Sequence, residues 1–289
     1  MNTLLCIGFG YCAEALASRL AGWRIIGTSR SADGAAAIAA KRFDAAVFDG
    51  AATNALLGAA IDQATHILIS AAPELAGDPV LMSFGAAIAA AKNLSWLGYL
   101  STIGVYGDTG GEWVDEDTPP RPSHERAIRR LEAEQAWLGF GARADIPVQI
   151  FRIAGIYGPG RNVLADLKAG AARRLVKPGQ VFNRIHVADI AQALDAAIQR
   201  GNAGRVYNLT DDEPASSEDV LLYAARLLGA APPAPVPIEA AALSPMAASF
   251  YADNRRVRNQ RIKQELSVAL QFPTYREGLA ALAKLEASA

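Results

Sequence analysis

The chain is poor in cysteine, with two residues, Cys6 and Cys12, in 289. They offer neither a disulfide framework nor the ligand spacing of a metal site, which fits a reduced, cytoplasmic protein. A charge excess is missing too: Lys+Arg 28 against Asp+Glu 29 leaves a net charge of -1. A protein that holds DNA or RNA by counterion release carries a basic surplus, so nucleic acid is excluded as the main partner. Long hydrophobic runs are lacking. The longest stretch without a charged residue, Asn93–Gly107, has 15 residues, short of the roughly 18 needed to cross a bilayer. No basic segment precedes the apolar run Leu4–Ile7, which stops at a glycine, so neither a membrane span nor a secretory signal is expected. Apolar residues, by contrast, are plentiful. At 51% hydrophobic and 20% charged, the chain can bury a substantial core, which excludes disorder. Its length suits one large domain or two small ones, at about 150 residues each.

Short apolar runs alternate with longer Ala/Leu-rich stretches. Leu4–Ile7, Arg24–Thr28, Ala45–Phe48, His66–Ser70, Leu97–Ser101, Val148–Ile153, Val181–Ile185 and Val206–Leu209 read as strands. Cys12–Ala21, Pro79–Ala91, Glu125–Leu138 and Val187–Arg200 read as helices. The strands are apolar throughout rather than alternating, which predicts burial on both faces, as in a parallel sheet. The alternation with helices predicts a doubly wound α/β fold of the Rossmann type. After Leu209 the texture changes. Ser216–Leu228 reads as a helix on a serine cap, Ala231–Pro237 is proline-rich and extended, and Arg255–Ala289 is charged and helical in tendency. This part is expected to form a smaller C-terminal subdomain packed against the sheet.

Gly8-Phe9-Gly10-Tyr11-Cys12-Ala13 follows the first strand and opens the first helix as G-x-G-x-x-A. The first glycine permits the tight turn, the second lets the backbone approach a pyrophosphate, and the small third residue allows helix–strand packing. The pattern points to a dinucleotide; the alternative is a merely structural strand–helix turn. The second strand ends Gly27-Thr28-Ser29-Arg30 with no acidic residue to accept from the ribose hydroxyls of NAD. Arg30 could instead fork onto a 2′-phosphate, which favours NADP with NAD as the alternative; otherwise it is an exposed loop arginine. Asp49 could accept from the adenine amine or cap a helix.

Several further segments resemble one family, the extended short-chain dehydrogenase/reductases, also called NAD-dependent epimerase/dehydratases. Ser70-Ala71-Ala72 resembles the strand end that passes under the cofactor. Ser101-Thr102-Ile103-Gly104-Val105-Tyr106-Gly107 is similar to the family's S-[ST]-x-x-V-Y-G, Arg152–Gly160 to its R-x-x-x-x-Y-G-P-G, and Ile185–Asp189 to its I-H-V-x-D. The resemblance implies a dinucleotide-binding Rossmann domain over residues 1–156 and 181–209, and a smaller substrate subdomain over 157–180 and 210–289. It also implies a small-molecule substrate, a substrate-orienting Thr102, and Tyr106 and Arg152 beside the substrate, although a buried ion pair would equally explain Arg152. Dimers are common in the family, so a homodimer is compatible with the resemblance.

Two departures bear on chemistry. The family's Tyr-x-x-x-Lys pair is absent: none of the eight tyrosines has Lys four residues later. Matching the family's K-L-x-x-E ending places Arg130 at the lysine position, where it could hold ribose hydroxyls, and Arg126 at the tyrosine position. An arginine stays protonated, so Arg126 cannot exchange a proton. The nearest candidate donor is His124, with Glu125 or a water as alternatives; otherwise His124 merely precedes the helix. The dehydratases' acidic pair is replaced by Ile103 and Gly104, which argues against sugar-nucleotide dehydration. His66 reads as a core histidine and His186 as structural, pairing near Asp189. Arg255, Arg256, Arg258, Arg261 and Lys263 read as a solvated helix face or an anionic-substrate site. The resulting expectation is an NADP-dependent oxidoreductase or epimerase, the alternative being a sensor or interaction protein that binds the cofactor without turnover.

Overall fold

The apolar runs assemble into one parallel sheet. In the computed structural model, which describes residues 1–50 and 55–287, its strands are β1 (Thr3–Ile7), β2 (Arg24–Ser29), β3 (Asp44–Val47), β4 (His66–Ile69), β5 (Trp96–Thr102), β6 (Val148–Ile153) and β7 (Val206–Leu209). Their spatial order is β7-β6-β5-β4-β1-β2-β3. β1 lies centrally, with Leu5 opposite Ile26 on one side and Ile67 on the other. The winding reverses between β1 and β4, which opens a crevice at the carboxyl ends of the strands.

The helices preceding β7 are α1 (Tyr11–Ala17), α2 (Ala32–Ala40), α3 (Ala55–Gln63), α4 (Pro79–Ala90), α5 (Glu125–Ala144), α6 (Val163–Lys168) and α7 (Val187–Arg200). Successive strand residues point to opposite faces. Leu4 and Cys6 of β1 therefore join Leu16 of α1 and Leu194 of α7 in one core layer. Leu5 and Ile7 join Ile61 of α3, Ile88 of α4 and Trp137 of α5 in the other. Layers on both faces explain why the strands carry no polar alternation. Truncating a fully buried anchor such as Leu16 or Ile61 to alanine would cost about 2–5 kcal/mol.

Several boundaries differ from the sequence reading. α2 and α3 were not anticipated; α2 starts on Ser31, whose side chain accepts from Gly34 N at 3.2 Å. α5 continues past Leu138 to Ala144, because glycine at 141 lets the helix press onto β6: a Cβ there would lie 2.6 Å from Val148. The strand expected over Val181–Ile185 is displaced to Arg184–His186, paired with Gly155–Tyr157 outside the main sheet. Val181 N is taken by the Asn254 side chain, and Phe182 bridges Ala215.

Beyond β7 come α8 (Ser217–Leu227), α9 (Pro245–Ala252), α10 (Gln260–Glu265) and α11 (Tyr275–Ala287). Ser216 caps α8, accepting from Asp219 N at 2.9 Å. Pro235–Pro237 is extended, as its prolines require, and pairs with Arg174–Val176. Tyr157, Leu164, Val220, Ala224, Tyr275, Leu279 and Leu282 form a separate small core. The tail is not helical from its start: Arg256–Val257 is a short strand against Trp113–Val114.

Candidate functional site

The glycine turn lies at the carboxyl end of β1, at the mouth of the crevice. Gly8 has φ +92°, and a Cβ there would come within 3.0 Å of Ala71 N, so both conformation and contact require glycine. Ser70 and Ala71 thereby sit against the turn, and Ala72, which follows, is exposed. Gly10 is different. Its φ of -105° suits any residue, and a Cβ there would meet nothing within 4 Å. The fold does not need this glycine; a ligand approaching the backbone would. The first helical bond is Glu14 N to Gly10 O, so the N–H groups of Tyr11, Cys12 and Ala13 precede it and lack helical acceptors. Gly8 N is bonded to Thr28 Oγ1 and Phe9 N to Thr28 O. The Phe9 ring packs inward, 5.3 Å from that of Phe43, so Phe9 shapes the turn without offering a donor. Ala13 is fully buried, the packing role its small size serves. Cys12 is buried too, and burial pushes its thiol up to about 11, leaving it protonated and inert.

These contacts with Thr28 fix the end of β2 beside the turn. Ser29 is half-buried there, and Arg30 is exposed with no partner among the described residues. Asp49, just after β3, is exposed. On the other flank the turn Gly158–Arg161 docks on α1: Tyr11 Oη donates to Pro159 O at 3.0 Å. Sequence reasoning passed over Arg161; the signal was a cation directly following the Y-G-P-G segment.

Thr102 ends β5. Its Oγ1 accepts from Gly104 N at 3.1 Å, which leaves the hydroxyl proton free to donate outward. The first turn of α5 packs here, since a Cβ on Gly104 would lie 3.4 Å from Thr102 Oγ1 and 4.0 Å from Ala127 Cβ. Arg130 is half-buried, donating to Leu100 O at 2.8 Å and to Tyr99 Oη at 3.3 Å. One guanidinium nitrogen is thus committed and the rest remain available. Arg126 is exposed. His124 stands at the start of α5 without capping it by its side chain. Its Nε2 is buried without a hydrogen bond, 3.5 Å from Asp253 Oδ1. Asp253 also accepts from Ser123 Oγ at 2.7 Å and from Arg255 at 2.9 Å.

Other expectations need revision. Tyr106 and Arg152, read as substrate contacts with a buried ion pair as the alternative for Arg152, are 2% and 4% exposed. Arg152 pairs with Glu134 at 2.8 Å and lies over the Tyr106 ring; Tyr106 Oη donates to Asn208 Oδ1 at 2.8 Å. Both are consumed inside the fold because the sheet is covered at this point. The basic run is no solvated helix face. Arg255 donates to Gly107 O, Arg256 to Gly111 O and Arg261 to Asp117, while Lys263 pairs with Asp212 and Arg258 lies over Trp113. The four arginines fasten the tail to the loops around 107–117. His66 is a core histidine as expected, its Nδ1 2.8 Å from Thr65 Oγ1, and burial pushes it down to about 4. His186 is structural as well, but it caps α7 by accepting from Ala188 N at 3.1 Å rather than pairing with Asp189. That carboxylate instead accepts from Gln271 N and Phe272 N.

Comparison with known proteins agrees with this geometry. The chain is 29% identical over 182 residues to the 3-diazoavenalumate denitrifying reductase of a Streptomyces species, covering 57% of this chain and 58% of that protein. It thus spans somewhat over half the length of that relative. A functionally unknown conserved protein from Silicibacter pomeroyi superposes with a TM-score of 0.90 at 49% identity, over 99% of each chain. The dTDP-glucose 4,6-dehydratase of Bacillus anthracis, in complex with NAD, superposes at 0.79 with 18% identity, over 100% of this chain and 97% of that one, a likeness of fold. The profile of the NAD dependent epimerase/dehydratase family matches residues 8–210, from the first glycine of the turn to just past β7. With a turn that demands glycine at position 8 and leaves open space at position 10, on a sheet wound in this order, the chain belongs to the NAD-dependent epimerase/dehydratase family.

Proposed function

We propose that the chain is an NAD(P)-dependent oxidoreductase or epimerase, preferring NADP, that acts on a small molecule bearing a carbonyl or hydroxyl group. Gly10 carries the reading: a glycine in ordinary conformation, facing space that no protein atom fills. The residues around it fit a dinucleotide. The turn Gly8–Ala13 would hold the pyrophosphate, Ser29 and Arg30 the 2′-phosphate, Asp49 the adenine edge, Ser70–Ala72 the floor, and Arg130 the ribose. The reductase among the relatives supports the same chemistry.

When bound, the nicotinamide would supply or take up hydride at the substrate carbon. The chain's own part is the proton and the developing oxyanion. Thr102 directs its free O–H toward the substrate oxygen, stabilising the alkoxide as it forms. His124 would be the proton donor to that oxygen, with its Nε2 3.5 Å from Asp253 Oδ1. Arg126, permanently charged, takes no part in proton transfer. Dehydration is not part of the proposal, because Ile103 is buried and Gly104 has no side chain where acid and base would stand. Two free, buried thiols suit a reducing cytoplasm.

The test is calorimetric titration with NADP and NAD, followed by a screen of carbonyl compounds for NADPH oxidation. Wild type should bind both cofactors, NADP more tightly. Gly10→Val should abolish binding while far-UV dichroism and thermal unfolding stay unchanged. Undiminished NADP binding by folded Gly10→Val would overturn the placement. Tight NADPH binding with no reducible carbonyl would leave a binding protein rather than an enzyme.

A further inference from the structure

A dinucleotide brings two negative charges in its diphosphate bridge, and the turn that would receive them carries no cation. Gly8–Ala13 contains no Lys or Arg. The next residue, Glu14, is acidic and is paired with Lys41 at the surface. Arg19, on the same stretch of chain, is engaged by Asp195 at 3.6 Å. Backbone N–H groups alone would have to balance the diphosphate unless a cation comes from another part of the fold.

One does come, on a rigid support. The turn Gly158–Arg161 closes on itself through Gly158 N to Arg161 O at 3.0 Å and Arg161 N to Gly158 O at 3.1 Å. Asn162, 8% exposed, braces it by donating to Gly158 O at 3.0 Å while its Oδ1 caps α6. Tyr11 ties the turn to α1 through Pro159 O, and the approach is close enough that a Cβ on Gly158 would lie 2.5 Å from Tyr11 Oη. Arg161 is exposed, and no carboxylate pairs with it among the described residues. The arginines at 152, 255 and 261 all have carboxylate partners.

We propose that Arg161 is a phosphate-binding residue of the dinucleotide site, supplying the cation for the diphosphate bridge that the glycine turn lacks. The assignment rests on the cofactor reading above and adds to it a ligand group and a residue. The electrostatics agree: burial pushes the Tyr11 phenol and the Cys12 thiol up, and in both the Arg161 guanidinium pulls the other way. Its positive potential therefore falls on the first residues of α1, next to Gly10. A guanidinium suits this role because its fork matches two phosphate oxygens.

The experiment is calorimetric titration of wild type, Arg161→Gln and Arg161→Lys with NAD, NADP and ADP, the last carrying a diphosphate without nicotinamide or 2′-phosphate. Arg161→Gln should weaken all three by a similar factor, roughly ten- to a hundredfold, the range for a charge-assisted contact. Arg161→Lys should recover part of the loss. Thermal unfolding should be unchanged, since the side chain is exposed. A loss confined to NADP would make Arg161 a 2′-phosphate contact and overturn the assignment. Unchanged affinity for all three ligands, with a raised KM for the carbonyl substrate, would move Arg161 to the substrate and also overturn it. If wild type binds none of the three, the cofactor reading itself falls, and this inference with it.

Discussion

Glu134 and Arg152 provide a direct test of whether the polar residues under the crevice serve the fold or the substrate. Arg152 sits on β6 at 4% exposure, and Glu134, from α5, is 1% exposed. Arg152 Nε lies 3.2 Å from both Glu134 oxygens, and a second guanidinium nitrogen lies 2.8 Å from Oε2. Ser101 Oγ also donates to Glu134. Arg152 Nη1 is buried with no partner, so the guanidinium has little to fall back on. Glu134→Ala would leave a buried cation uncompensated and should cost about 3–5 kcal/mol. For 289 residues the unfolding entropy near Tm is about 0.6 kcal/mol per kelvin, so Tm should fall by about 5–8 °C. Replacing both partners, Glu134→Leu with Arg152→Met, removes the two charges together and should recover most of that loss. Denaturant titration of Glu134→Leu, Arg152→Met and the double variant gives the coupling energy, expected to exceed about 2 kcal/mol. A coupling near zero, or an Arg152→Met protein of wild-type stability with a raised KM, would show that Arg152 serves substrate after all.

Arg30→Ala should weaken NADP by roughly ten- to a hundredfold and leave NAD nearly unchanged; equal losses in calorimetry, or a wild-type preference for NAD, would refute the 2′-phosphate role. Once a carbonyl substrate is found, His124→Ala and Thr102→Ala should each lower kcat, by about a hundredfold or more for the histidine. Full turnover by His124→Ala would make the histidine structural. Asp211 should make stability depend on pH. Burial pushes its carboxyl up to about 8, against the opposing pull of Arg184, while the unfolded chain keeps the ordinary value near 3.8. Between those two values the folded state holds a proton that the unfolded state lacks. Its contribution is therefore full below about pH 4 and lost as pH rises to about 8, at up to about 1.4 kcal/mol per unit. Asp211→Asn should flatten that slope in denaturant titrations from pH 5 to 8, and parallel profiles for the two proteins would count against a buried, protonated Asp211.

The sheet was largely readable from the sequence because each strand is apolar on both faces and bounded by turn residues. Val148–Ile153, Val206–Leu209 and Val187–Arg200 agree with the structure to the residue. α2 was not readable. In ADGAAAIAA only Ile38 is buried, so there is no apolar stripe for a helical period to reveal. The glycine turn was legible through local spacing, and the end of β5 at Thr102 through a motif. What one strand cannot disclose is what covers it. Arg152 looks like a polar group at a strand end until α5 is seen to bring Glu134 over it. The basic tail likewise pairs with residues some 145 positions away, a separation no local pattern records.

Those long-range pairings have a consequence for synthesis on the ribosome. The loop leaving the Ile103–Tyr106 turn is held from outside by Arg255, which reaches Gly107 O, by Arg256, which reaches Gly111 O, and by the strand pair Trp113–Val114 with Arg256–Val257. All of these partners are translated after the seven sheet strands are complete. A nascent chain can therefore pair its seven sheet strands while the core layer that Val257, Ile262, Leu266 and Val268 complete, and the wall beside Thr102, still await the tail, since contacts of high sequence separation form late. A chain stalled before residue 253 would also lack the carboxylate beside His124. Release of the finished tail, rather than folding of the sheet, would then set the moment at which this protein becomes competent.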